Sequence, residues 1–122
     1  MNLIPKNTKL RALIESTGWD NSGKDDYFIL IKWRIYEPGE HHGKIIRQKI
    51  HIEDVDPEKK KRALKMLATI NTICGAPLQL HEWRNPTDIE LYKALKNNEM
   101  TIKIGVWEIQ ENTGNYIVGV SK

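Results

Sequence analysis

Tyr27–Ile52 reads YFILIKWRIY, then EPGEHHG, then KIIRQKIHI. Two runs of β-branched and aromatic residues flank a segment of Gly, Pro and His, the pattern of two antiparallel strands joined by more than a tight turn. Side chains alternate across a strand. Ile29, Ile31, Trp33 and Ile35 therefore share one face, opposite Phe28, Leu30, Lys32, Arg34 and Tyr36. In the second run Ile46, Gln48, Ile50 and Ile52 oppose Ile45, Arg47, Lys49 and His51. If the isoleucine rows face a core, with Trp33 among them, then Lys32, Arg34, Tyr36, Arg47 and Lys49 meet on one exterior surface.

Working outward, Thr8–Ser16 predicts a first strand, with Leu10, Ala12 and Ile14 alternating with Lys9, Arg11 and Glu15. Met1–Asn7 reads as a loosely held lead-in. Thr17–Asp26 is dense in turn formers and carries Trp19 and Lys24. Trp19 either packs back on the end of the sheet or stands ready for a ligand. Beyond Ile52, Asp56 fits a helix N-cap and Pro57 the first helical position. Ala63, Leu64, Leu67, Ile70 and Cys74 form the apolar face of that helix, and Gly75 suits its left-handed end. The run Lys59-Lys60-Lys61-Arg62 opposes the helix dipole, so it does not serve helix stability. It reads first as a solvated face and second as a phosphate patch. Thr87-x-x-Glu90 is a capping box for a short second helix, from about Pro86 or Thr87 to Leu95. Ile89, Tyr92 and Leu95 are expected to seat it, and Trp83 reads as a packing residue. Met100–Ile109 and Tyr116–Ser121 predict a closing hairpin around Glu111–Asn115, with Lys103 and Trp107 on its outer face.

The order strand, strand, strand, helix, short helix, strand, strand predicts a mainly β fold in one domain over residues 1–122. It is the order of a five-stranded OB-like Greek-key barrel, with a helix between strands 3 and 4. In that fold the ligand groove lies on strands 2 and 3, between the loops 1–2 and 4–5. The candidate nucleic-acid-binding residues are Trp19, Lys24, Lys32, Arg34, Tyr36, Arg47, Lys49, Lys103 and Trp107. Cations suit phosphates, and Trp or Tyr rings suit unstacked bases.

The 122 residues carry a net charge of +3, which permits a polyanionic ligand without demanding one. The single cysteine, Cys74, suits a reducing compartment and reads as a small buried apolar residue. No signal-peptide core or membrane-spanning run is apparent, so a soluble cytoplasmic protein is expected. His41 and His42 read as a solvated loop. Neither they nor the isolated His51 and His81 assemble a metal or catalytic set, so no enzyme, metal or cofactor is expected.

SGKDDYFILIKWRIYEPGEHHGKIIRQKI, LATINTICGAP and KIGVWEIQENTGNYIVGV together resemble a family of small bacteriophage single-stranded-DNA-binding proteins, over roughly Leu10 onward. The opening strand lacks the Pro-x-Gly-x-Tyr start of relatives, and the chain ends Gly-Val-Ser-Lys without an acidic tail. The resemblance implies an OB-like barrel that coats single strands during phage replication or recombination in the host cytoplasm. Phage recombinase or replication proteins are further implied partners, and a homo-oligomer is left open. A protein-interaction barrel without intrinsic DNA binding, such as a recombination accessory factor or host-protein inhibitor, is the alternative.

Overall fold

The computed structural model describes residues 3–20, 27–80 and 84–122; Lys24, His81 and Trp83 lie outside them. Five strands, β1 (Lys9–Asp20), β2 (Phe28–Ile35), β3 (Ile45–Ile50), β4 (Glu99–Ile109) and β5 (Asn112–Ser121), form one antiparallel sheet in the order β3-β2-β1-β4-β5. Two helices, α1 (Pro57–Ile73) and α2 (Asp88–Leu95), lie between β3 and β4 in the chain. The sheet is open. Its edge strands β3 and β5 approach each other, with α1 packed against both, but no ladder joins them among the described residues.

The alternation legible in β1, β2 and β3 is the alternation that packs. Ala12, Ile14, Ile29, Ile31, Trp33 and Ile35 have no exposed surface, and Ile46 and Ile50 have almost none. Met100, Ile102 and Ile104 of β4 complete the same core, as do Leu67 and Ile70 of α1 and Leu91 and Leu95 of α2. Two polar atoms inside it answer each other, because Trp33 Nε1 donates to Gln48 Oε1 at 2.8 Å. That bond explains why a glutamine stands in an isoleucine row: the indole N–H needs a buried acceptor.

Several expectations are corrected. β1 continues four residues past Ser16, because its backbone stays paired with β2 as far as Asp20 opposite Phe28. A register shift lies between Ile14 and Ser16. An extra residue at a bulge re-phases a strand without ending it. The lead-in is held: Ile4 is fully buried, its N–H donates to Asn115 Oδ1 at 3.0 Å, and Asn115 Nδ2 returns a bond to Ile4 O at 2.9 Å. His41 is buried too, rather than part of a solvated loop. Phe28, counted with the exterior face, is covered by Lys49, whose Nζ lies 5.2 Å from the ring centroid, and by the His51 ring.

Asp56 caps α1 by accepting from the Glu58 N–H, Pro57 opens the helix, and Gly75 has φ of +92° just beyond it. Leu64 faces solvent instead of the core; Asn71 is buried in the helix's apolar stripe. Asn71 Oδ1 accepts from Leu78 N–H and its Nδ2 donates to Leu78 O, both at 2.9 Å, so one amide holds the chain as it leaves α1. Asn71→Ala orphans both Leu78 groups and is expected to cost about 1–3 kcal/mol. A denaturant titration would register this as a lower midpoint at unchanged slope; an unmoved midpoint would refute the role given to the amide.

The capping box of α2 is present, with Thr87 and Glu90 exchanging bonds. Arg84 and the Thr87 N–H, both bonded to Glu90, hold its carboxyl at about 2. The phase of α2 differs from expectation, however. Leu95 is buried as expected, but its partner in seating the helix is Leu91, four residues before it, while Ile89 and Tyr92 are exposed. Tyr92 meets Lys96 on the outer surface, where its hydroxyl and ring both contact the ammonium. The last hairpin turns in two residues, Gln110 (φ +58°) and Glu111, so Asn112–Asn115 belong to β5 and not to a loop. Among the described residues, no helix is long and apolar enough to cross a membrane.

Candidate nucleic-acid interface

A cleft of about 1210 Å³ opens between the facing edges β3 and β5, with α1 along one side. β3 contributes Arg47 and Lys49, and Lys44 stands just before it. α1 contributes Lys59 and Arg62, three residues apart and hence on one helix face. Trp107 from β4 and Tyr116 from β5 line the cleft on the hairpin side. The cleft therefore carries five Lys or Arg side chains against one carboxylate, Asp54. Among the described residues, Arg47, Lys59 and Arg62 have no ion pair, so their charge is available to a ligand.

The two rings sit in an arrangement set by strand register. Trp107 stands opposite Gly114, and Gly105 stands opposite Tyr116. Each ring lies across the glycine of the paired strand: a Cβ at Gly105 would meet the Tyr116 ring at 2.6 Å, and one at Gly114 would overlap the Trp107 indole. Trp107 remains 39% and Tyr116 46% exposed, so both keep a surface toward solvent.

No protein-family model matches the sequence, and no curated protein matches it. What the cleft can do must come from its own chemistry.

The residues expected from sequence do not all converge. Arg47, Lys49 and Trp107 line the cleft. Lys32 is one strand away, directly across from Arg47. With Trp19 it lines a separate shallow hollow of about 300 Å³. Trp19 is on β1 and is tied into the fold: its Nε1 donates to Pro86 O and its N–H to Asp88 Oδ1, both at 2.7 Å. Its ring stacks on Tyr27 at 4.5 Å, and this favours its packing role over a free platform.

Arg34 is engaged by Glu15, with Nε at 2.7 Å, so its charge is already answered. Tyr36 accepts from Arg11 Nε at 3.1 Å and donates to Glu99 at 3.4 Å, bracing the outer side of β1. Lys103 stands opposite Lys9 and Gly119 and lines neither hollow. The exterior surface expected from sequence is thus divided between two hollows, with Arg34 and Tyr36 taken up by neighbouring side chains and Lys103 lining neither.

Tyr116 was missed, although a signal for it existed. A turn centred between Gln110 and Glu111 puts Gly105 across from Tyr116 and Trp107 across from Gly114; the longer loop read from Glu111–Asn115 obscured this register. Lys59 and Arg62 were visible only as half of a basic run, whose other members, Lys60 and Lys61, do not line the cleft. Cys74 is half-buried, and burial pushes its thiol pKa up, away from the nucleophilic thiolate. Among the described residues no three His, Cys, Asp or Glu side chains gather as a metal site would need.

Proposed function

We propose that the protein binds single-stranded DNA along the β3–β5 cleft, largely without regard to sequence, and does no chemistry on it. The observation that carries this reading is the pairing of two surfaces in one trough: Arg47, Lys59 and Arg62, which have no carboxylate partner among the described residues, and two half-exposed rings. A polyanion with unpaired bases satisfies both at once, since phosphates take the cations and any base offers a π-face. A folded duplex hides its bases and leaves the rings unused.

The strand order, with a helix between β3 and β4 and the edges β3 and β5 face to face, supports an OB-type Greek-key barrel parted at that seam. The resemblance to phage single-strand coating proteins points the same way, toward replication or recombination in a host cytoplasm, with recombinase or replication proteins as partners. The alternative is a protein-interaction module. Exposed Ile109 and Val118 on the β4–β5 hairpin favour it, since with Trp107 they would anchor a protein partner.

Titration with single- and double-stranded oligomers at two salt concentrations separates the two. A strand binder prefers the single strand and loses affinity in proportion to the phosphates it neutralises, with a log–log slope of about −0.7 per phosphate. Equal, salt-insensitive or undetectable binding of both oligomers would discard the strand-binding reading.

A further inference from the structure

The register of the β4–β5 hairpin suggests more than two exposed rings. We infer that Trp107 and Tyr116 form a two-base stacking platform in which Gly114 and Gly105 are positioning residues, an inference that rests on the strand-binding reading. The two ring-on-glycine pairs, Trp107 with Gly114 and Tyr116 with Gly105, are successive same-face pairs of one ladder. They are two residues apart along each strand, a separation of about 7 Å at the usual rise. Stacked bases in a duplex strand are about 3.4 Å apart. The platform pitch is therefore about twice the duplex step and suits two neighbouring bases pulled out of their own stack.

The glycines set the height of the rings. No β-carbon stands between either ring and the backbone beneath it, so each ring settles onto the sheet and turns its other side outward. A methyl group at Gly114 would occupy space the indole now fills, and the ring would have to lift or swing away. Phosphates flanking the two bases would find Arg47, Lys49, Lys59 and Arg62 lining the same cleft. The ligand of this subsite is thus a pair of adjacent unpaired nucleobases, read by their faces and not by their hydrogen-bonding edges.

The test compares oligo-dT with an abasic oligomer of equal length, which keeps the phosphates and lacks the bases. Wild-type protein should prefer oligo-dT, and Trp107→Ala and Tyr116→Ala should each cost roughly 5- to 150-fold on oligo-dT and little on the abasic strand. Trp107→Phe should retain most of the preference, and Gly114→Ala should lose about as much as Trp107→Ala while keeping its melting transition.

If the alanine variants lose the preference but Gly114→Ala does not, the glycine has no positioning role and the inference fails. If wild type binds both oligomers equally with a steep salt slope, the platform is refuted while the strand-binding reading stands. If wild type binds neither, both are refuted together.

Discussion

Trp33→Ala should lower the melting temperature by roughly 10–20 °C, whereas Trp107→Ala should leave it within a few degrees of wild type. Both are tryptophans on strands in a chain with only four. Trp33 has no exposed surface and lies among Ile31, Ile35 and Ile46 in the central core, so truncation opens a cavity worth about 3–5 kcal/mol. It also strips Gln48 Oε1 of its donor, and Gln48 is itself buried. Against a total stability of about 5–15 kcal/mol for an ordinary domain, that is a large fraction. The polar part can be isolated. Trp33→Phe leaves Gln48 unsatisfied and should be more destabilising than the same change made in a Gln48→Leu background, because removing both partners of a buried bond costs less than removing one. Thermal melts of the four proteins in this cycle check it; additive effects would mean that the indole–amide bond does not matter.

Why Trp33 was legible and the binding cleft was not follows from the range of the forces involved. A strand's alternation is local, and burial of the Ile29–Ile35 row needs only one apolar side to the sheet, whatever packs against it. The caps Asp56 and Thr87 are local in the same sense, since side chain and target N–H lie within three residues. The seat of α2 was misjudged in part, because eight residues admit two neighbouring stripes, and only contact with β1 chooses Leu91, beside the expected Leu95, over Ile89 and Tyr92. The length of β1 was misjudged for a related reason: Gly18 and Asp20 are poor strand formers, but pairing with Leu30 and Phe28 overrides their preference.

The candidate site depends on longer-range facts. Which outward cations stay unpaired is decided by neighbours on other strands. Arg34 and Arg47 look alike in sequence, yet Glu15 reaches Arg34 across the β1–β2 pair while no carboxylate engages Arg47 among the described residues. The approach of the open sheet's two edges likewise brings β3 to β5 and α1. It brings Arg47 to Trp107 and Tyr116 and leaves Lys103, paired with Lys9 of β1 and Gly119 of β5, outside the cleft. A one-strand pattern carries none of this information.

That contrast makes charge placement, at constant net charge, the sharpest examination of the cleft. Arg47→Ala with Arg62→Ala and Arg34→Ala with Lys103→Ala lower the net charge equally, so a general attraction to DNA would treat the two variants alike. The cleft does not, since only the first pair lines it. If Arg47 and Arg62 each neutralise one phosphate, their loss should flatten the log–log salt slope by about 1.4, the sum of two single-strand contributions. With counterion release taken to vanish near 1 M salt, the same slope gives a loss of roughly 25-fold for oligo-dT at 0.1 M. The Arg34 and Lys103 pair should leave the slope unchanged, because Glu15 already holds Arg34 and Lys103 stands outside the cleft. Equal slopes for the two double variants would mean that the protein attracts DNA by net charge alone, and the β3–β5 cleft would then have no claim to the strand.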